Sequence, residues 1–193
     1  MDQILQNLAK KLRELRRERK LTLQQMAKEI GMSPSLVSQV ERGMLRPSLE
    51  TLLRIAKLFD VSPGHLLDED FFNNSALHNV SLVRAKERKS VLTQGNIKFS
   101  LLSHRLNLGS EFIIIEYPPN SSTGKSGYAH EGVECGLLLE GELEVEIEDR
   151  IYRLKPGDSI TYRSTSPHRT CNRSSKKAKA VWVNSEPFIF STK

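Results

Sequence analysis

The chain has 193 residues, 38% hydrophobic and 27% charged, a balance typical of a folded globular protein and not of a disordered or fibrous one. No apolar run is long enough to span a membrane, and the opening MDQILQNLAKKL is amphipathic where a secretory signal needs an apolar block. Two cysteines, Cys135 and Cys171, are too few for a disulfide scaffold, and reduced thiols in a cytoplasmic protein are expected. The formal charge of +6 favours a polyanionic partner and is concentrated at one end: residues 1–57 hold twelve Lys/Arg against six Asp/Glu.

Residues 4–20 predict a helix, with Leu5, Leu8, Leu12 and Leu15 on one face and Lys, Arg and Glu on the other. Two short helices follow in LTLQQMAKEIGMSPSLVSQVERG. Thr22 and Gln25 form a capping box for the first, Gly31 breaks it, and Ser33 caps the second with Pro34 at its first position. Met26, Ala27, Ile30, Val37 and Val40 make an apolar seam, leaving Ser35, Ser38, Gln39 and Arg42 on the opposite face. A short helix with small polar residues, Gln and Arg outward suits a DNA groove. Pro47 and Ser48 open a fourth helix with Leu49, Leu52, Ala56 and Phe59 in one stripe, and Ser62-Pro63 opens a short fifth. The expectation is an all-α five-helix domain over residues 1–68.

Beyond the acidic cluster Asp68, Glu69 and Asp70, residues 69–80 read as a linker, with Phe71 and Phe72 available to pack on a domain. From residue 81 to 193 the period changes to two. Phe112–Tyr117 is β-branched and aromatic, and Leu143, Val145 and Ile147 alternate with Glu142, Glu144, Glu146 and Glu148 as a half-buried strand with a wet acidic face. Turn signals at Glu140-Gly141, Asp149-Arg150, Lys155–Asp158, Ser166-Pro167 and Arg173–Ser175 predict an antiparallel sandwich or barrel.

The segment from LRRERKLTLQQ to DVSPGHLL resembles the helix-turn-helix domain of the phage-repressor (Cro/CI-like, XRE) family, including its glycine turn, its V-x-x-x-E-x-G ending and the following Pro-Ser. The resemblance implies a phosphate contact for Gln24, a recognition helix opened by Ser33, Pro34 and Ser35, and base-facing roles for Ser38 and Gln39. Arg42 and Arg46 suit the DNA backbone, and Glu41 suits an internal partner such as an Arg of the first helix. Pro34 stands where some members carry Gln, so their sequence preference does not transfer. One such domain makes few contacts, and two-fold dimers reading half-sites about one helical turn apart are the usual solution. The β domain is the natural place for that dimer contact.

The run GYAHEGVECGLLLEGELEVEIEDRIYRLKPGDSITYRSTSPHRTCN resembles the two blocks of the small cupin barrel, a jelly-roll-like fold. Metal-bearing cupins supply His-x-His and a later Glu from the first block and one His from the second. Here Tyr128 takes the first His position, while His130, Glu134 and His168 remain. Three roles stay open for that set: a divalent metal site (zinc or iron), hydrogen bonding to a small organic effector without metal, or mutual satisfaction in a polar core. Glu134 between two imidazoles suits an amine or amino acid, whereas Arg163 would favour a carboxylate. The effector pocket expected from the resemblance is Tyr128, His130, Glu134, Arg163 and His168.

In domain order the chain resembles cupin-type helix-turn-helix transcriptional regulators, and TGKSGYAHEGVECGLLLEGEL is especially similar to them, the polyamine-responsive kind included. The resemblance implies a sequence-specific regulator of double-stranded DNA, more a repressor than an activator. It implies a homodimer that senses a small metabolite and is not an enzyme. Two other readings are a DNA-tethered metal-dependent cupin enzyme, such as a dioxygenase, and a regulator whose barrel serves only dimerisation.

Overall fold

The computed structural model describes residues 3–61, 63–67, 82–103 and 109–189. Five helices come first: α1 (Gln3–Glu18), α2 (Leu23–Ile30), α3 (Pro34–Glu41), α4 (Leu49–Phe59) and α5 (Pro63–Leu67). The capping chemistry sets their boundaries. Thr22 accepts from the Gln25 amide while the Gln25 side chain accepts from the Thr22 amide. Gly31 ends α2 at φ 67°, in the left-handed region that a Cβ would strain. Ser33 caps α3, which has Pro34 in its first turn, and Ser48 caps α4. Ser62, the linker 69–80 and the acidic cluster at 68–70 lie outside the described residues.

Leu8, Leu12, Met26, Ile30, Val37, Val40, Leu52 and Ile55 are buried together and close the helical core. One ion pair crosses that core. Arg16 reaches both carboxylate oxygens of Glu41, at 2.5 and 3.0 Å, and Arg13 donates to the Glu41 carbonyl at 2.6 Å. Glu41 is therefore the internal partner its place in the motif suggested, and it ties α1 to the end of α3.

The remaining elements form two antiparallel sheets. The strands are β1 (Ser90–Leu92), β2 (Lys98–Leu101), β3 (Glu111–Tyr117), β4 (Ser121–Ser122), β5 (Val133–Glu140), β6 (Leu143–Ile147), β7 (Arg150–Leu154), β8 (Ser159–Arg163), β9 (His168–Asn172) and β10 (Ala178–Asn184). One sheet runs β1-β2-β3-β10-β5-β8 and the other β4-β9-β6-β7, the two-layer jelly roll expected. The acidic face of β6 is less wet than its alternation suggests. Glu144 pairs with Arg153 and Arg173, and Glu146 with Arg169 and Arg173, so arginines of β7, β9 and the turn after β9 cover it.

Inside the barrel, Gly136 of β5 lies opposite Trp182 of β10. A Cβ at Gly136 would come within 2.6 Å of the indole ring, so the missing side chain is what lets Trp182 lie across the interior. Cys135 is exposed and Cys171 buried, and both are free thiols.

Candidate functional site

The helical domain presents a compact outward face. Gln24, Ser33, Pro34, Ser35 and Arg42 are exposed, and Ser38 and Gln39 are half-buried on the same short helix pair. Two residues that the sequence pattern did not mark join them: Leu36, 39% exposed on α3, and Met44, 69% exposed just beyond it. An exposed Leu on a helix of this kind suits the methyl group of thymine. Beside the face, a cleft of about 270 Å³ between α1 and the end of α3 is lined by Gln6, Lys10, Arg13, Glu14, Arg17 and Arg42. Its cations extend the positive surface along α1, and only the basic stripe of that helix could have announced them.

Arg46 has a partner in the barrel. Its guanidinium donates to Asn96 at 2.8 Å, so it joins the two halves of the chain. That partner lies 50 residues along and is one the sequence pattern did not mark.

Gln39 lies half-buried on this outward side of α3, and a Gln that meets an adenine edge there would contribute about 1–3 kcal/mol of discrimination. Gln39→Ala is expected to relax preference at one base pair of each half-site, by about 5- to 150-fold, and to spare the others. Binding measured across single-base variants of a selected site tests this, and an unchanged profile would remove Gln39 from the readers.

The second cluster lies inside the barrel. Burial alternates along β5, which turns Glu134, Gly136 and Leu138 inward and Cys135, Leu137 and Leu139 outward. Glu134 is thus buried at the start of the strand, 6% exposed. His168 opens β9 and is 1% exposed. Tyr128 exchanges both backbone hydrogen bonds with His168, at 3.0 and 2.9 Å, which sets the first block of the barrel against the second.

The His130 Nε2 lies 2.8 Å from Glu134 Oε1, and the His168 Nε2 lies 3.0 Å from the same oxygen but off the line of a hydrogen bond. The other ring nitrogens are already engaged: His130 Nδ1 with the Glu131 carbonyl and His168 Nδ1 with the Ser166 carbonyl, each at 2.9 Å. A carbonyl only accepts, so each Nδ1 carries a hydrogen and each Nε2 is left to face the carboxylate. Two ring nitrogens and a carboxylate oxygen therefore converge, and they are compatible only with protons or a cation between them. The three ligand atoms lie within 4.8 Å of one another, and two imidazoles with a carboxylate are a donor set that zinc or iron accepts. On chemistry and on the unsatisfied His168 Nε2, the residues fit a metal.

Burial alone would raise the Glu134 carboxyl, but the contacts from both imidazoles outweigh it and lower it to about 2. Its second oxygen accepts from the Tyr162 hydroxyl at 2.7 Å. Burial and the nearby Glu134 charge push the Tyr162 and Tyr128 phenols well above their ordinary range, so both remain neutral donors. Phe188 stacks on His130 with ring centroids 3.7 Å apart, and Tyr128 meets His168 edge-on at 4.7 Å. The site is a carboxylate inside an aromatic wall.

Of the pocket residues expected from sequence, the structure brings together Tyr128, His130, Glu134 and His168. Arg163 is not among them. It is exposed and lies one position from Tyr162 on β8, so the strand's alternation sends it to the opposite face. Tyr162 holds the inward place because it pairs in register with Glu134.

Comparison with known proteins agrees with both halves. Residues 12–66 match the helix-turn-helix family and residues 113–184 the cupin domain. Over 86% of its length the chain is 26% identical to the HTH-type transcriptional regulator PuuR of Escherichia coli (strain K12), covering 87% of that protein. The uncharacterized HTH-type transcriptional regulator YobD of Bacillus subtilis (strain 168) is 39% identical over 57 residues, 30% of this chain and 51% of YobD. The crystal structure of an HTH_3 family transcriptional regulator from Vibrio cholerae superposes with a TM-score of 0.64 at 26% identity, over 95% of this chain and 97% of that one. Hydroxypropylphosphonic acid epoxidase from S. wedmorenis superposes more loosely, at a TM-score of 0.49 and 22% identity over 95% of this chain and 100% of that one.

Proposed function

We infer that this chain, a DNA-binding transcriptional regulator made of a helix-turn-helix domain and a cupin effector domain, is a cytoplasmic repressor that lets go of its operator when a small cationic ligand enters the barrel. The observation that carries the ligand class is the meeting of two imidazole Nε2 atoms on one buried Glu134 oxygen within an aromatic wall. Such a wall attracts an ammonium group, and the carboxylate neutralises it. The organic form of the ligand is an amine or an amino acid. A second reading, a divalent zinc or iron held by His130, Glu134 and His168, is favoured by the unsatisfied His168 Nε2. The groups named here bind and orient and carry out no catalytic step, in keeping with the regulator relatives.

The ligand acts only through a difference in affinity between two arrangements, and about 5.5 kcal/mol of preference takes a population from 1:99 to 99:1. The test is release of a selected operator fragment by a panel of amines and amino acids, run with chelated protein and again after loading with Zn²⁺ or Fe²⁺. Release by organic amines from chelated protein supports the first reading, and release by metal alone supports the second. His130→Ala leaves the Tyr162 bond to Glu134 and the Tyr128–His168 backbone pairing in place, so it is expected to keep basal operator binding and lose the response; a release curve identical to wild type would contradict the assignment.

Two-fold reading of DNA calls for a second copy, and the outer face of the six-stranded sheet suits it. Phe112, Val183 and Cys135 lie in one row across β3, β10 and β5, and Ile114, Val181 and Leu137 in the next. Phe112, Val183, Leu137 and Leu139 are each about two-fifths exposed. A second copy pairing on this face would present two recognition helices together. Leu137→Glu is expected to yield monomers in sedimentation and to weaken operator binding; an unchanged dimer would place the contact elsewhere.

A further inference from the structure

The stretch Thr123–Tyr128 belongs to the TGKSGYAHEG segment, and it meets the ligand cluster at its end, through Tyr128 and the close approach of Gly127 to the His168 backbone. The rest lies between that cluster and the helical domain. On one side, the Thr123 amide donates to the Thr170 carbonyl of β9, Tyr128 is paired with His168, and Arg169 clamps the carbonyls of Gly124 and Lys125. On the other side stands Glu50, in the first turn of α4 and only 7% exposed.

The Glu50 carboxylate is filled by the loop. Its Oε2 accepts the Lys125 and Ser126 amides at 3.1 and 3.2 Å, and its Oε1 accepts the Ser126 hydroxyl and Arg54 Nη2 at 2.5 Å each. The Glu50 amide in turn donates to the Thr123 carbonyl. Two successive amides aimed at one oxygen make an anion nest, here occupied by a carboxylate from the other domain. The approach is so close that a Cβ on Gly124 would lie 2.7 Å from Glu50 Oε2, so a side chain there is excluded. Arg54 continues the chain of contacts to the Ile30 carbonyl, at the end of the first helix of the reading pair. The Pro47 carbonyl accepting from the Gln94 amide, and Arg46 on Asn96, close the same junction.

We propose that Glu50 is the anchor through which the barrel's ligand cluster sets the position of the DNA-reading helices. The proposal rests on the reading of the barrel as a ligand site. A ligand that displaces His168 or Tyr128 moves the strand and loop backbone paired with them. A buried carboxylate cannot stay behind without losing the loop's hydrogen-bond donors, a loss the low dielectric makes severe. Glu50 therefore transmits the shift to α4, and Arg54 transmits it to α2. The two-state element is the loop docked on, or released from, the start of α4. Released, the carboxylate remains at a helix N-terminus, where the macrodipole tolerates it.

A double-mutant cycle on full-length protein tests the anchor without knowledge of the natural ligand. Glu134→Gln perturbs the cluster, Glu50→Gln cuts the anchor, and the affinity for a fragment selected by the wild-type protein is the readout. Glu134→Gln is expected to shift the dissociation constant by about fivefold or more in the wild-type background and by less than about 1.5-fold in the Glu50→Gln background. Equal shifts in both backgrounds, or no shift in either, would overturn the proposal. Amide hydrogen exchange supplies a second measurement that does not depend on the pocket variant folding. The Lys125 and Ser126 amides of Glu50→Gln are expected to exchange about tenfold faster or more while those of α3 keep their wild-type rates. Unchanged exchange at both loop amides would overturn it as well. Absence of any duplex preference in the unsubstituted protein strikes the regulator reading instead, and the exchange result then decides the anchor alone.

Discussion

Glu41→Ala is expected to unfold much of the helical domain while leaving the barrel intact. Glu41 is buried and engages both oxygens with Arg16, which is itself only 16% exposed at its side chain. Removing one partner of a buried pair strands the other, at a cost of about 3–5 kcal/mol. A domain of this size holds only about 3–10 kcal/mol in total. The substitution should therefore lower the midpoint of the helical transition by about 12 °C or more and abolish operator binding. Calorimetry with far-ultraviolet dichroism reads both transitions. A helical transition within a degree or two of wild type would mean that the pair contributes no more than an exposed one.

Glu134→Gln is the counterpart in the barrel. It keeps the size of the side chain and removes the one negative charge on which His130, His168 and Tyr162 converge. Affinity for any cationic ligand should fall by about a hundredfold or more, because a buried charge loses its counter-charge. The pH dependence carries a second signature. The folded Glu134 carboxyl is held at about 2, below the ordinary carboxylate value of about 4.3. The stabilisation from ionised Glu134 is thus complete above the ordinary range and drains away as pH falls from there towards 2. Wild-type barrel stability should drop through that window, and the Gln variant should lack that part of the slope. Parallel acid profiles for the two proteins would show that Glu134 carries none of the acid lability.

The helical half was legible almost residue by residue because its signals are local. Caps, glycine turns and three-four spacing act over a single turn of chain, so Thr22, Gln25, Gly31, Ser33, Pro34 and Ser48 fix their helix ends where the pattern places them. The barrel site was legible only where block motifs and parity reach, which covered Tyr128, His130, Glu134 and His168. Tyr162 enters through the pairing of β8 with β5, 28 residues away, and a one-residue error in that register selects Arg163 instead. Phe188 arrives from the segment after β10, and no local pattern announces its stacking on His130. Arg46 reads as a cation for the DNA backbone and Glu50 carries no signal of its own in the sequence, and only the docking of the two domains brings them to Asn96 and Ser126.

In this regulator the helix-turn-helix and the buried His130, Glu134 and His168 share one contiguous junction. Everything proposed for it depends on the exposed face of α3 reading duplex DNA. The most direct measurement is selection of genomic fragments by the purified full-length chain at moderate salt, against random duplex competitor. The account predicts enrichment of a small set of two-fold symmetric sites with half-sites about one helical turn apart, and loss of preference at a defined base pair in Gln39→Ala. Recovery of fragments at the frequency of random competitor would contradict it.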